Sequence, residues 1–412
     1  MFSIHKRNTF VAIDIGTASV KAAMGEILKP SEYRVLGVCQ NQCRGLRKGN
    51  IVDIKNTAEA VEIVLNELER LTGVEIYSAL IGFSGRDIYS TVNHAAVTAR
   101  GPDFEITEED KERVLQAACD VSLPSDKTLV QTIIRQYVVD GYEDIKEPAG
   151  MAGSRLEAFV TLVVAATAVV QNIQRCTAQI NLKIDRLVYN PLLAAESVLL
   201  PLEKEMGVVL IDIGAGTTEI SFFAKGNLFH ASVIPLGDEY FSKDLSLVLR
   251  TSWEEANRLK ELYGMAEPGL AGDDEELIEL RNTQGKEKKQ VTRKMITEII
   301  HARLVEMIEL IYVELQRYGI IDNIPSGIVL TGGGAGLRGI VELLEENLDI
   351  PVRLGKPENI RGISEEYNKP HYANVLGGLQ YISDSFDEKQ LEIRGVPKIW
   401  DNITFWVKDL FR

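Results

Sequence analysis

The sequence predicts an α/β protein built as two similarly folded halves, with an α+β segment set into the first. Three observations carry this prediction. Val11-Ala-Ile-Asp14-Ile-Gly16 returns as Val209-Leu-Ile-Asp212-Ile-Gly214, an internal repeat. Buried-strand runs alternate with amphipathic helical runs around both copies. Between about Ser84 and Arg155 the pattern changes to a self-contained mixture of strand and helix. A chain of 412 residues has room for more than one domain.

The elements follow in order. "TFVAIDIGT" (Thr9 to Thr17) reads as a buried strand entering a glycine turn. "NTAEAVEIVLNELERLTG" is an amphipathic helix with Val61, Val64, Leu65, Leu68 and Leu71 on one face and Gly73 as its stop. "ITEEDKERVLQAAC" starts a helix with Thr107 as N-cap and Glu108, Glu109 and Asp110 in the first turn, where acids suit the helix dipole. "EAFVTLVVAAT" resumes strand, and "GVVLIDIGAGTTEISFF" repeats the strand-and-turn opening. From Trp253 to Gln316 the chain is mostly helical, and the charge clusters Asp273–Glu276 and Lys286–Lys289 read as solvated loops. "MITEIIHARLVEMIELIYVEL" is a long helix burying Ile296, Ile300, Met307, Ile311 and Leu315. "SGIVLTGGGAGLRGIVELLEE" is strand, glycine turn, helix, and "DSFDEKQLEIRG" is a charged linker.

Composition removes several function classes. Net charge is -15 and the pI is about 5.0, against nucleic acid as a main partner. Cys39, Cys43, Cys119 and Cys176 lack the spacing of a zinc site and read as free thiols. The N-terminus has no apolar stretch of signal-peptide length, and no window of ~18 apolar residues exists to cross a bilayer.

The glycine turns carry the chemistry. Bare backbone N–H groups grip a phosphate where side chains would hold it off. An acid on the preceding strand holds Mg2+, usually through water. Asp14-x-Gly16-Thr17 and Asp212-x-Gly214-x-Gly216-Thr217-Thr218 are two such hairpins, and Lys21 follows the first within reach of a phosphate. Thr331-Gly332-Gly333-Gly334 supplies a third turn. Gly334-Ala-Gly336-Leu-Arg-Gly339 also fits a dinucleotide fingerprint. The next strand, "PVRLG", lacks the acid that such a site needs. No P-loop sequence is present, and the five histidines are scattered.

These three turns resemble the phosphate-1, phosphate-2 and adenosine motifs of the actin/Hsp70/sugar-kinase superfamily. "EITEEDKERVLQAA", "VVDGYEDIKEPAGMAGSRLEAFVTLV", "VIPLGDEYFSKDLS", "IIHARLVEMIELIYVELQ" and "HYANVLGGLQYI" are similar to the FtsA family of bacterial cell-division proteins, over nearly the whole chain. The resemblance implies an actin-like fold, two RNase-H-like subdomains around a nucleotide cleft, with an inserted α+β subdomain and a C-terminal amphipathic helix. It divides the chain into subdomain 1A (1–83, 163–205 and a closing helix, 366–383), the insert 1C (84–162), 2A (206–245 and 321–365), 2B (246–320), a linker (384–396) and a membrane helix (397–412).

Its implied cofactors are ATP and Mg2+. Asp14 and Asp212 would flank the metal through water. Gly16, Thr17, Lys21, Gly214, Gly216, Thr217 and Thr218 would line the phosphates, and Gly332, Gly333 and Gly334 the adenosine. Asn190 would orient the attacking water, with at most slow ATPase activity. Ala373 and Gly377 would lie on the helix between the halves. Arg303 would meet the acidic C-terminal peptide of FtsZ, or pair with Glu306 within its own helix. The implied partners are FtsZ, other copies of the chain in filaments, later divisome membrane proteins, and a lipid surface at the cytoplasmic face of the division site. The sequence departs from the family pattern at Ala215, where the middle glycine of phosphate-2 is usual, and at Glu219, Asn190, Asp238 and Glu239. The alternatives are a small-molecule kinase of the superfamily, for which nothing marks a substrate carboxylate, and a pilus-assembly-type scaffold.

The last residues, "VPKIWDNITFWVKDLFR", have their own logic. On a helix at about 100° per residue, Ile399, Trp400, Ile403, Trp406, Val407, Leu410 and Phe411 fall within an arc of about 140°. The pattern alone leaves two readings, a helix docked on its own core or on a partner, or one in a membrane interface, where Trp is favoured; at about 22 Å long it cannot span a bilayer.

Overall fold

The computed structural model describes residues 8–385 apart from 30–31, 102–103, 272–276, 281–289 and 359. The charge clusters at 273–276 and 286–289, most of the linker and the C-terminal helix expected at 397–412 therefore lie outside the described residues.

The chain begins with β1 (Thr9–Ile15), β2 (Ser19–Lys29) and β3 (Glu32–Gln42), an antiparallel meander. A small hairpin, β4 (Leu46–Arg47) and β5 (Asn50–Ile51), leads into α1 (Ile54–Thr72). Asp53 caps α1 by accepting from the Asn56 N–H at 3.0 Å, and Gly73 ends it at φ 70°. Val61, Val64, Leu65 and Leu68 are buried as the pattern predicts, while Leu71 is 59% exposed at the edge of that face. Then β6 (Ser78–Phe83) enters parallel to β1.

The insert has its own sheet. β7 (Ile88–Thr98), α2 (Glu108–Cys119), β8 (Lys127–Val139), β9 (Tyr142–Ile145) and β10 (Arg155–Ala166) follow, with strand order β7-β10-β8-β9. Thr107 and Asp110 form a reciprocal capping box at the start of α2. The first half resumes with α3 (Thr167–Gln179), β11 (Lys183–Tyr189) beside β6, α4 (Asn190–Val198) and α5 (Pro201–Met206).

The second half repeats the first. β12 (Val208–Ile213), β13 (Thr218–Ala224) and β14 (Asn227–Ile234) form the same meander. A helical excursion follows: α6 (Glu239–Leu249), α7 (Trp253–Tyr263), a two-stranded ribbon of β15 (Leu277–Glu279) and β16 (Gln290–Thr292), and α8 (Arg293–Arg317). The ribbon interrupts a stretch read as helical. β17 (Ile328–Thr331) then enters parallel to β12, followed by α9 (Ile340–Leu348), β18 (Val352–Leu354) and α10 (Ala373–Asp384).

The two five-stranded sheets, β11-β6-β1-β2-β3 and β14-β13-β12-β17-β18, have the same connectivity. β1 and β12 are central and buried along their whole length, which explains the apolar runs Phe10–Ile13 and Val208–Ile211 ahead of each aspartate. α4 and α10 cross where the halves meet. The Ser197 hydroxyl donates to the Ala373 carbonyl at 2.8 Å. A Cβ at Gly377 would overlap the carbonyl oxygen of Leu193, so only glycine lets the helices approach this closely.

Candidate functional site: a cleft lined by three glycine turns

The first two turns are closed by the same hydrogen bond. The Gly16 N–H donates to the Ser19 carbonyl at 3.1 Å, and the Gly214 N–H to the Thr217 carbonyl at 2.9 Å. They also face each other. A Cβ on Gly216 would come within 2.8 Å of Thr17 Oγ1 and 2.9 Å of Lys48 Cα, both in the opposite half. Gly216 is therefore the glycine that this approach requires. The backbone at Ala215 does not enter the left-handed region, so its methyl is accommodated without backbone strain. Asp238 and Glu239 dock the second turn through their N–H groups, on the carbonyls of Gly214 (2.9 Å) and Ala215 (3.0 Å). Asp238 is itself held by Lys260 at 3.0 Å.

The third turn closes on the second. β17 runs beside β12 with Thr331 opposite Asp212. Gly332 has φ 89°, and a Cβ there would overlap the Asp212 carboxylate and reach within 2.6 Å of the Ile213 carbonyl. At Gly333 a Cβ would meet nothing within 4 Å, so this glycine faces open space. Gly334 packs against Ile213 and Asp238. Thr17 accepts the Gly49 N–H at 2.9 Å. Thr217 donates to Glu219 at 3.3 Å, while the Thr218 hydroxyl points away and donates to the Leu236 carbonyl at 2.8 Å.

Asp14 and Asp212 are both buried at matching strand ends. Across the first hairpin, Asp14 stands opposite Lys21, with 3.4 Å between Nζ and Oδ2. Across the second, Asp212 stands opposite Glu219. This swap of a cation for an acid sets the electrostatics. Burial, then the Asp14 charge, pushes Asp212 up to about 6, against the lowering influence of Asn374 and Lys21. Burial and the same two aspartates push Glu219 well above the carboxylate range. Burial, with Lys21 and Lys369 nearby, holds His371 down at about 4.

Several buried polar atoms here have no partner: Asn190 Oδ1, Asn374 Oδ1, Glu219 Oε2 and the Tyr189 hydroxyl. Asn190 sits at the start of α4 and donates its amide to Asp14 at 2.9 Å. Orphaned acceptors beside two carboxylates fit a hydrated cation, whose waters are donors. Among the described residues no three acids, histidines or cysteines converge as direct metal ligands.

Arg303 lies outside this cleft, on α8. It grips Asp244 of α6 through two hydrogen bonds (2.6 and 3.1 Å), pairs with Glu306, and lies over the Tyr240 ring at 5.8 Å. It lines an open depression of about 420 Å³ with Val248, Ile299, Ala302 and three acids, Asp244, Glu298 and Glu306.

Two features of the cleft escape sequence reasoning. Asn374 donates to Asp212 at 3.1 Å, across 162 residues of chain. Gly82 stands opposite Asp14 in the register that places Thr331 opposite Asp212, making "GFSG" the first half's counterpart of the third turn. The faint echo of Tyr189-Asn190 in Tyr372-Ala373-Asn374 is the signal that points to Asn374.

Comparison with known proteins agrees with this geometry. A family model described as cell division protein FtsA matches residues 209–377, and one for the SHS2 domain inserted in FtsA matches residues 85–164. The chain is 37% identical to FtsA of Pseudomonas aeruginosa over 396 residues, covering 96% of this chain and 94% of the relative. It is 35% identical to FtsA of Bacillus subtilis, covering 92% and 84%. Among solved structures, the PilM-PilN type IV pilus biogenesis complex aligns with a TM-score of 0.65 at 16% identity, covering 92% of this chain and 99% of that one. MreB5 of Spiroplasma citri, crystallised with ADP, aligns at 0.55 and 13% identity, covering 94% and 99%. At such identities these likenesses establish the fold, which is actin-like with an SHS2 insert. By the near full-length similarity to its curated relatives, the chain belongs to the FtsA family of cell division proteins.

Proposed function

We propose that this protein binds ATP with Mg2+ between its two halves, polymerises, and tethers FtsZ filaments to the cytoplasmic face of the cell membrane. The single observation that carries nucleotide binding is the meeting of three glycine turns around two buried aspartates. The fold neighbour MreB5, solved with ADP and with AMPPNP, supports the choice of ligand. ATP·Mg2+ supplies a bridging polyphosphate and a hydrated cation. The hairpin N–H groups other than those of Gly16 and Gly214, with the Lys21 ammonium, would hold the phosphates, and Asp14 and Asp212 would hold the cation. Asn190, held on Asp14, orients water. Because Thr17 and Gly216 belong to different halves, a ligand touching both turns favours the closed cleft.

The Arg303 depression on α6 and α8 is the surface offered to the FtsZ peptide, with Val248 and Ile299 as apolar floor. The apolar arc from Ile399 to Phe411 is the membrane contact. A filament presenting many tails binds a surface far more tightly than one chain does. Later divisome proteins are recruited to this assembly.

Liposome co-sedimentation tests the reading. The full chain is expected to pellet with vesicles, more so with ATP, while a chain ending near Gly395 and the Trp406→Glu variant stay in solution. Equal pelleting of the full and shortened chains sinks the anchor.

A further inference from the structure

The two halves hold their strand-end aspartates by the same device. Asp14 takes an amide hydrogen bond from Asn190, the first residue of α4 (2.9 Å). Asp212 takes one from Asn374, the second residue of α10 (3.1 Å). Each helix is the one that follows the outer parallel strand of its own half, β11 or β18. The Asp–Asn pair is thus part of the structural repeat.

The halves differ in what else touches the carboxylate. Asp14 also has Lys21, whereas the equivalent residue opposite Asp212 is Glu219. Among the described residues, Asn374 is the one side chain recorded as donating to Asp212. Both amides turn their N–H toward the carboxylate, and both leave Oδ1 buried without a partner. A buried amide oxygen needs a donor, and the water shell of a cation between the two aspartates provides one.

We propose that Asn374 is a positioning residue of the nucleotide site: its N–H sets the orientation of the Asp212 carboxylate, and its carbonyl oxygen receives a water of the hydrated Mg2+. This rests on the ATP·Mg2+ reading above. It makes the metal's water shell answer to both crossing helices, since Asn190 opens α4 and Asn374 opens α10. Gly377, three residues along α10, is where those helices touch.

The test measures binding of a fluorescent ATP analogue to the full chain across a Mg2+ titration, and in EDTA. Loss of a residue that orients a metal ligand typically weakens metal affinity by about 10–100-fold. Asn374→Ala is therefore expected to raise the half-saturating Mg2+ concentration by about tenfold or more, with affinity in EDTA changed less than about twofold. Asn374→Asp, nearly the same size, removes the donor and is expected to lose as much or more. It serves as the readout if the alanine variant does not fold. An unchanged Mg2+ midpoint in the folded variants overturns the proposal, as does an equal loss with and without metal, which marks a merely structural role. A wild-type chain that binds nucleotide with no metal dependence overturns the Mg2+ reading itself.

Discussion

Asp212→Asn is expected to stabilise the nucleotide-free protein while abolishing its metal-dependent nucleotide binding. Asp212 is buried near Asp14 and Glu219, with Asn374 as its amide donor. Its carboxyl is pushed up from 3.8 to about 6, so the folded state holds that proton more tightly than the unfolded chain does. The stability linked to this proton is complete below pH 4 and lost as pH rises through about 6. Each pKa unit is worth about 1.4 kcal/mol, so keeping the ionised carboxylate buried at neutral pH costs on the order of 3 kcal/mol. An asparagine keeps the shape and an acceptor for Asn374 but gives up the charge-assisted bond, about 1 kcal/mol of the gain. A net stabilisation of about 1–2 kcal/mol should remain at pH 7.5. Urea unfolding in EDTA at pH 7.5 and pH 4.5 measures it. The difference from wild type should shrink at the lower pH, where wild type is already protonated. A variant that is destabilised equally at both pH values refutes the electrostatic argument.

Gly377→Ala sets helix propensity, a gain of about 1 kcal/mol, against overlap with Leu193 across the α4–α10 crossing. Overpacking of about 1–3 kcal/mol should win, lowering the urea midpoint and loosening nucleotide binding. Gly332→Ala forces a methyl onto Asp212 at φ 89°, and is expected to weaken nucleotide affinity at least tenfold by titration. His230 is held down at about 4 by burial, with Arg135 and Arg317 nearby, and its buried Nε2 has no partner. Because the unfolded chain binds that proton up to about pH 6.5, its contribution to stability is lost as pH falls from 6.5 to 4. His230→Phe keeps the ring contact with Tyr318 and should raise the urea midpoint more at pH 5 than at pH 7.5. Arg303→Glu removes the cation of the depression and sets a carboxylate beside Asp244. FtsZ-peptide binding by anisotropy should disappear, with nucleotide binding intact.

The geometry also places the departures from the family pattern. At Ala215 the methyl meets no backbone strain, and close approach between the halves falls on Gly216 instead. Asp238 and Glu239 do not disturb the second turn, since their backbone N–H groups dock it. Glu219 keeps an acid where the family pattern has Asp, opposite Asp212, in the place that Lys21 holds in the first half.

Much of this protein is legible from sequence because its signals are local. A strand buried on both faces must be apolar over a continuous run, as Val208–Ile211 is before Asp212. A turn that exposes N–H groups needs glycine, and an insert with its own core has its own periodicity. The alternation, the three turns, the helix faces of α1 and α8 and the apolar arc near the C-terminus are properties of neighbours in the chain. Tertiary structure decided what depends on distant partners. The second turn's side of the cleft requires glycine at 216 because Thr17 and Lys48 stand against it. The Thr218 hydroxyl turns inward because the Leu236 carbonyl lies within 2.8 Å. Asn374 joins the site because α10 returns 162 residues later to the aspartate that β12 delivered. Periodicity reports which face of an element is buried. It carries no record of which remote atom that face will meet, and hydrogen-bond geometry in a closed core is settled by that meeting.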